Sequence, residues 1–374
     1  MTLRVCHHLA PRPTWRCAKI ERFIRLEKEL SSVSLTSPPQ RPTPERIFNI
    51  LHAYQNTAAL KTAIELDVFT TIGEGADQAA TLAAKIGAAE RGARILCDHL
   101  TILGFLTKSG KRYALTPESA LFLDRRSPAS MAPLIGFMGR EEFTRAFGKL
   151  TEAVRKGGSA LPDGDNTKPQ ADFWVAFARS MKPITRLNAA FLAQLLGAKE
   201  GKPWKVLDIA AGHGMYGITL AQQNPQARIT AVDWAPVLEV AQESARAAGV
   251  AKRYEARPGS AFETELGEGY DIALLTNFLH HFDPATCEKV LRRVHAALRP
   301  GGRAVTLEFI PNEDWVTPAT AAAFSLVMLA STDSGDAYTA SELERMFRNA
   351  GFGRSVLHAI PEMPQSVLVS EKAE

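Results

Sequence analysis

The stretch 205–217 constrains this chain more than any other, because an apolar run leads directly into three closely spaced glycines. The run 205–209 is rich in β-forming residues and predicts a short strand buried on both faces of a parallel sheet. Glycines at G-x-G-x-x-G spacing then favour a sharp strand-to-helix turn whose backbone a ligand can approach closely. These glycines are Gly212, Gly214 and Gly217.

Asp208 decides between two ligands for such a turn. The glycine spacing alone is also typical of dehydrogenases that bind a nicotinamide dinucleotide. Asp208 lies in the predicted strand just before the turn, where a carboxylate can receive the ammonium of an amino-acid moiety, directly or through water. It would sit poorly beside a pyrophosphate, so the residue disfavours the dehydrogenase, which stays as an alternative.

Further motifs follow the glycine turn in order. A second strand, 228–233, ends in Asp233, whose carboxylate can accept hydrogen bonds from two ribose hydroxyls. The later segments are Gly-Ser-Ala-Phe at 259–262, a strand at 270–275, Thr-Asn-Phe-Leu-His-His-Phe-Asp at 276–283, a helix at 284–298, and Leu-Arg-Pro-Gly-Gly-Arg at 298–303 before a strand at 304–309.

This order of motifs resembles a class I S-adenosylmethionine (SAM)-dependent methyltransferase over about residues 185–372. The resemblance implies an α/β fold with a Rossmann-like, doubly wound and mostly parallel sheet in the domain 201–374, and SAM as the cofactor. Trp234 is expected to cover the adenine, Phe262 to pack on its face, and Ser260 to accept a hydrogen bond from its amino group. The implied cofactor-binding residues are Asp208, Gly212, Gly214, Asp233, Trp234, Ser260, Ala261, Phe262, Thr276 and Asn277.

Residues 1–44 are predicted to be a disordered basic leader. Their eight basic and three acidic residues account for the net charge of +4, so the rest is near neutral and gives no argument for nucleic-acid binding. A transit peptide or an early start codon remain alternatives. No apolar run is long enough to predict a membrane span. Scattered cysteines predict reduced thiols in a cytoplasmic protein: Cys6, Cys17, Cys97 and Cys287.

The segment 45–125 has the pattern of a winged helix, which is a helix-turn-helix followed by a hairpin. Its predicted elements are a helix from 45 to about Leu66, a short helix from Thr81, a helix at 90–103, and a hairpin turning at Ser109-Gly110. The last of these helices mixes Glu90 and Asp98 with Arg91 and Arg94, and is not a basic reading face.

A winged helix before a SAM fold resembles the small-molecule O-methyltransferases of plants and bacteria, in which this region forms an intertwined dimer. The resemblance implies a homodimer through 45–125, whereas a DNA-binding regulator stays as an alternative. The segment 126–200 is predicted to be a helical linker that carries acceptor-pocket helices. Two aromatic and methionine stripes are typical of either a core or such a pocket: Phe173, Trp174, Phe177 and Met181, then Phe324 and Met328.

Two histidines follow the strand 270–275, where a base that removes the acceptor's proton should project. The resemblance places His280 on the general-base position and Glu308 on a carboxylate that orients the base, with His281 as a bystander. A structural role for His280 is the alternative. A second family carboxylate is missing, and Asp336 is its possible substitute. His213, inside the glycine turn, is expected to point at solvent or the substrate without a role.

The sequence therefore predicts a homodimeric, metal-independent enzyme that transfers the SAM methyl group to a hydroxyl of a small aromatic, secondary-metabolite-like acceptor. One alternative is a C- or N-methyltransferase, or a non-methylating relative, on the same scaffold. Another is a winged-helix regulator or a catalytically silent SAM-binding protein. Neither a nucleic acid nor a membrane is predicted as a partner.

Overall fold

The structure, a computed structural model, describes residues 42–161 and 171–374. The leader predicted for 1–44, apart from 42–44, lies outside the described residues, as do Cys6 and Cys17. The chain divides into two units, Met1–Tyr54 and Gln55–Glu374. In the first unit, helix α1 (Glu45–Glu65, which continues into the second unit) follows Pro44 and presents exposed apolar side chains: Ile47, Phe48, Ile50, Leu51 and Tyr54.

The second unit opens with the predicted helix-turn-helix and hairpin. Its elements are α2 (Val68–Gly73), α3 (Ala79–Ile86), α4 (Glu90–Ile102), β1 (Leu106–Ser109), β2 (Arg112–Leu115) and α5 (Pro117–Phe122). β1 and β2 pair antiparallel around Gly110, which has a positive φ of 58°. On α4, Asp98 forms ion pairs with Arg94 of the same helix and with Lys108 of β1.

Helices continue through the predicted linker. They are α6 (Ala132–Met138), α7 (Glu141–Gly148), α8 (Leu150–Lys156) and α9 (Ala171–Leu195). The longest, α9, contains Pro183 in its interior. Proline has no N–H to donate, so it removes one i→i−4 hydrogen bond at this point and divides the helix into two halves.

Among the described residues, seven strands form one sheet in the order β5-β4-β3-β6-β7-β9-β8. They are β3 (Lys205–Ile209), β4 (Arg228–Asp233), β5 (Tyr254–Pro258), β6 (Tyr270–Thr276), β7 (Leu298–Glu308), β8 (Ser355–Ala359) and β9 (Ser366–Glu371). All neighbouring pairs are parallel except those that involve β9, which runs antiparallel to β7 and β8.

Helices cover both faces of this sheet, as alternating residues of β3 show. Val206 packs on the side of α9, α10 (Met215–Gln223) and α11 (Ala235–Ala247). Leu207 packs on the side of α12 (Pro284–Ala297) and α14 (Ala340–Asn349). A further helix, α13 (Ala319–Ser331), follows β7. The predicted fold class, a doubly wound and mostly parallel α/β sheet, is confirmed.

The strand order reverses between β3 and β6, since β4 lies on one side of β3 and β6 on the other. In open α/β sheets, ligands bind outside the carboxyl ends of the strands at this switch point. The glycine turn and the two histidines both follow strands at this edge.

Candidate active site

The β3–α10 turn has the backbone that its glycines predict. Gly212 and Gly214 have φ angles of 56° and 75°, in the left-handed region that favours glycine. Gly214 also packs tightly, because a Cβ there would lie 2.5 Å from the Tyr254 hydroxyl. A side chain at Gly214 would therefore clash with the packing beneath the turn, and one at either position would strain its backbone.

Asp208 is a buried acid that the protein satisfies incompletely. Its side chain is 1% exposed, and neither carboxylate oxygen accepts a hydrogen bond of normal geometry among the described residues. Burial, together with the charge of Asp233, raises the pKa of Asp208 to about 7, although the Gly217 amide counters this. A buried acid with unused oxygens at the glycine turn fits a ligand that brings an ammonium or a bridging water.

Asp233 joins the end of β4 to the glycine turn. Its carboxylate accepts the Gly212 N–H at 2.8 Å and the Trp234 N–H at 2.6 Å. Burial raises the pKa of Asp233 to about 6, against these two hydrogen bonds. Each oxygen has a further lone pair, so the carboxylate can still accept two hydroxyl groups.

The loop after β5 brings the three predicted adenine-loop residues beside Asp233. The Gly259 N–H donates to the Asp233 carbonyl at 2.9 Å, and the Phe262 N–H donates to Ser260 Oγ at 3.2 Å. The nearly buried Ala261 lies between them. Arg293, on α12, donates to the carbonyl of Phe262 and so holds this loop against the sheet.

Phe262 and Trp234 have aromatic neighbours of their own. Phe262 meets Phe282 edge to face at 5.1 Å and Phe278 at 6.2 Å between ring centroids. Trp234, at the start of α11, packs in a cluster with Trp174 of α9. Both rings are therefore packed against other side chains of the protein.

The end of β6 carries a polar network that the sequence did not reveal. Thr276 is buried, and Asn277 has a positive φ of 54°. The Asn277 side-chain oxygen accepts from Gln365, whose own oxygen accepts from Asn188 on α9 at 2.5 Å. Single amide residues in distant segments give no pattern that sequence reasoning could use.

His280 and Glu308 form a buried pair at the ends of β6 and β7. Glu308 Oε2 binds His280 Nδ1, while Oε1 accepts the Phe278 and Leu279 N–H groups at 2.9 and 2.8 Å. Donation from Nδ1 to the carboxylate leaves Nε2 as the basic nitrogen of the neutral ring. Such a pair can act as a general base oriented by a carboxylate, and this role stays a prediction.

Asp336 does not join this pair. Its carboxylate accepts the N–H of Ala337, and the Gly335 backbone before it packs against the His280 carbonyl, since a Cβ there would lie 2.2 Å away. The suggested substitute for the missing carboxylate therefore contributes no hydrogen bond to His280 in the described residues.

The aromatic stripes of α9 and α13 meet at the two histidines. Trp174 lies edge to face with His281 at 5.5 Å, and Phe324 lies edge to face with His280 at 4.9 Å. Phe177 lies 5.5 Å from Trp174. The two stripes therefore flank the candidate base.

Other members of these stripes are more interior. Phe173 and Met328 are 6% and 3% exposed, and Phe173 packs on Phe137 at 5.3 Å. Met181 is half-buried, and its carbonyl accepts a hydrogen bond from Thr185. The stripes thus combine buried positions with positions that contact the two histidines, and an acceptor pocket here stays a prediction.

His213 corrects the expectation that it points at solvent or the substrate. The residue is 6% exposed. Its Nδ1 accepts the Met215 N–H at 3.1 Å, and its Nε2 lies 2.9 Å from the Thr185 hydroxyl of α9. The imidazole therefore accepts a backbone N–H at the start of α10 instead of facing open space.

Within 42–161 and 171–374, no group of histidine, cysteine or acidic side chains could hold a metal ion, and a metal-independent reaction stays a prediction. No helix in the same ranges combines the length and apolarity needed to cross a membrane. Cys97 and Cys287 are buried free thiols.

Comparison with protein families gives two matches. Residues 147–353 match a model of the O-methyltransferase domain, and residues 48–125 match a model of the O-methyltransferase dimerisation domain. The second match supports a homodimer.

Two similar curated proteins come from Streptomyces species. The chain is 29% identical to the 3-hydroxy-5-methyl-1-naphthoate 3-O-methyltransferase of Streptomyces sahachiroi, over 87% of this chain and 94% of that protein. It is 28% identical to the tetracenomycin polyketide synthesis 8-O-methyl transferase TcmO of Streptomyces glaucescens, over 83% and 91%.

Solved structures of methyltransferases also match this chain. A candidate O-methyltransferase from Nostoc punctiforme PCC 73102 is 50% identical, with a TM-score of 0.85 over 89% of this chain and 100% of that one. Human N-acetylserotonin methyltransferase in complex with SAM has the same fold at 22% identity, with a TM-score of 0.78 over 90% and 100%.

Proposed function

Because this chain belongs to the O-methyltransferase family and is a SAM-dependent enzyme, we propose that it methylates a hydroxyl of a small aromatic, secondary-metabolite-like acceptor. The observation that carries the proposal is the buried His280–Glu308 pair, flanked by Trp174 and Phe324. Relatives named for a naphthoate and for a tetracenomycin support the aromatic acceptor.

The cofactor site in this proposal follows the carboxyl edge of the sheet. Asp233 receives the ribose hydroxyls, Asp208 attracts the ammonium directly or through water, and SAM supplies a methyl group on a sulfonium that needs no further activation. The adenine is surrounded by Trp234, Ser260, Ala261 and Phe262, and the methionine part is held by Gly212, Gly214, Thr276 and Asn277. The unused oxygens of Asp208 and the open glycine turn support this assignment.

The chain's own part in catalysis is positioning and proton removal. His280 Nε2 would take the hydroxyl proton as the oxygen bonds to the methyl carbon and the carbon–sulfur bond breaks, which releases S-adenosylhomocysteine, and Glu308 would stabilise the imidazolium that forms. The acceptor lies between the aromatic side chains that face these residues: Phe173, Trp174, Phe177, Met181, Phe324 and Met328.

The assembly proposal assigns a role to each part of the chain. Residues 45–125 make a homodimer, 126–200 link the domains and supply pocket helices, and 201–374 bind SAM. The exposed apolar face of α1 supports the dimer. The buried thiols Cys97 and Cys287 are compatible with a cytoplasmic protein.

Matched acceptor probes test the proposed reaction. The enzyme is incubated with SAM and either 3-hydroxy-5-methyl-1-naphthoate or the same molecule with its hydroxyl already methylated. We expect the free hydroxyl to gain one methyl group with equimolar S-adenosylhomocysteine, and the blocked probe to stay unchanged.

A wider panel decides the alternative acceptors. If SAM binds by calorimetry but the methyl group moves to a carbon or nitrogen while no phenol in the panel reacts, the hydroxyl assignment is wrong. If SAM binds and no group is methylated, the silent SAM-binding alternative stands instead.

A further inference from the structure

We propose that His213 is a positioning residue that ties the cofactor turn to α9, so that SAM binding orders the acceptor-facing half of that helix. The inference rests on the proposed SAM site at the glycine turn. It concerns two side chains, His213 and Thr185, that lie between that turn and the aromatic stripe.

The hydrogen bonds of His213 define its proton position. The Met215 N–H is a backbone donor, so Nδ1 must accept, and the proton of the neutral ring lies on Nε2. Nε2 therefore donates to Thr185 Oγ1 at 2.9 Å, and the Thr185 hydroxyl donates in turn to the Met181 carbonyl at 3.0 Å. Each group has one role, and the chain of bonds has one direction.

The imidazole keeps this form over the physiological range. Burial, together with the nearby charge of Lys182, lowers the pKa of His213 to about 3. Because the ring stays neutral with the same tautomer, its hydrogen bond to Thr185 does not depend on pH over this range.

The series of hydrogen bonds from His213 ends at Met181, on the N-terminal side of Pro183, where the proposed methyl acceptor lies. Thr185 follows the proline, whereas Met181 precedes it and belongs to the aromatic stripe with Phe177 and Trp174. Proline removes one backbone hydrogen bond here, so the two halves of α9 are held together less firmly by the backbone. The Thr185 hydroxyl spans this weak point while it is anchored to the turn by His213.

This geometry predicts a specific effect of SAM. A ligand that fixes the glycine turn fixes His213, and through Thr185 it restrains the N-terminal half of α9. The competing explanation is that His213 simply caps α10 through Met215, in which case α9 would not respond. Asn and Gln separate the two functions, because Asn can replace the Nδ1 acceptor and Gln can replace the Nε2 donor.

Hydrogen exchange of the full chain with and without SAM tests the inference. In the wild-type protein we expect SAM to protect 210–217 and also 171–182. His213→Asn and Thr185→Val should keep SAM Kd within about threefold and keep protection of 210–217, but lose the SAM-dependent protection of 171–182. Thr185→Ser should restore it, and His213→Gln should retain it.

Thr101→Val is the matched control, because the Thr101 hydroxyl makes the same bond to a carbonyl four residues earlier, on α4 and outside this region. It should change nothing in 171–182. For the SAM-dependent protection of 171–182, the double variant of His213→Asn with Thr185→Val should lose no more than either single variant, since both break the same His213–Thr185 bond.

Two results would overturn the inference: unchanged protection of 171–182 in Thr185→Val, or wild-type SAM protection confined to 210–217. Failure of SAM to protect 210–217 in the wild-type protein would instead reject the cofactor site on which the inference rests.

Discussion

At the scale of single residues, Glu308 holds both the imidazole of His280 and the backbone of the loop that carries it. One carboxylate satisfies two backbone N–H groups through Oε1 and the imidazole through Oε2. The sequence indicated both residues through the family pattern. It could not show that the carboxylate also holds the backbone of the loop that carries the histidine, which depends on the meeting of β6 and β7.

Replacing the Glu308 carboxylate by an amide tests this arrangement. In Glu308→Gln the amide oxygen can still accept the backbone N–H groups, but the NH₂ group then faces His280 Nδ1 and favours the tautomer with its proton on Nε2. We expect kcat to fall, but by less than in His280→Ala, with SAM affinity unchanged. Glu313→Gln, at an exposed carboxylate, is the control. A kcat near that of the wild type would show that Glu308 does not set the tautomer.

Asp208 gives the protein a pH-dependent stability. Its pKa is raised to about 7 in the folded chain, against 3.8 for an unperturbed group, so the folded state binds more protons between these values. Protonated Asp208 therefore contributes to the free energy of unfolding. This contribution is fully present below about pH 4 and is lost as the pH rises to about 7.

Asp208→Asn removes this titration while it keeps the side-chain shape. Both melting temperatures are measured without SAM. As the pH rises from 4.5 to 8, we expect the variant to gain roughly 5 °C or more in melting temperature relative to the wild type. The test uses the difference in melting temperature between the two proteins, because the other titrating groups are the same in both. A difference that is constant with pH would mean that Asp208 is ionised throughout.

At the scale of elements, the glycine turn was the most predictable part of the fold. Apolar β-forming residues before it and helix-forming residues after it required a strand and a helix, and the glycines allowed the turn between them. The burial of His213 was not predictable, because its partner Thr185 comes from α9, outside the motif. For the same reason the stripes of α9 and α13 could be named but not divided into core and pocket positions.

Gly217 illustrates packing that overrides helix propensity. It lies in α10, where alanine is normally favoured by about 0.5–1 kcal/mol, but a Cβ would lie 2.8 Å from both Asp208 Oδ2 and Ile229 Cγ2. We expect Gly217→Ala to destabilise the protein by about 1–3 kcal/mol in urea unfolding. Gly136→Ala, at a helical glycine with open space around it, should be neutral or stabilising. Equal effects would contradict the close packing.

At the scale of the whole molecule, the order of motifs along the chain determines the sheet and so the site. Most of the motifs follow a strand, while 298–303 forms the start of β7, and the sheet order brings the carboxyl ends of β3, β4, β5, β6 and β7 to one edge. That order was inferable from the family resemblance. The assembly is different, because a single chain shows an apolar surface without showing what covers it.

The dimer prediction concerns the exposed face of α1. Ile50 and Leu51 are 67% and 59% exposed, so a charge on each should leave the protomer folded and disrupt a dimer that buries them. We expect light scattering to give twice the chain mass of 40.8 kDa for the wild type and a single chain for the Ile50→Glu, Leu51→Glu double variant. Leu357→Glu, on β8, should stay dimeric. A monomeric wild type would refute the proposal.

The most direct test of the account is the pH dependence of methyl transfer by His280→Ala, with saturating SAM and the hydroxynaphthoate probe. At neutral pH we expect kcat to fall by about 10²–10⁴ with nearly unchanged SAM affinity, while His281→Ala has a mild effect. The residual rate should recover as the pH rises through the pKa of the acceptor's hydroxyl, because an ionised oxygen needs no base. Near-wild-type turnover by His280→Ala at neutral pH would contradict the account and leave the residue with a structural role.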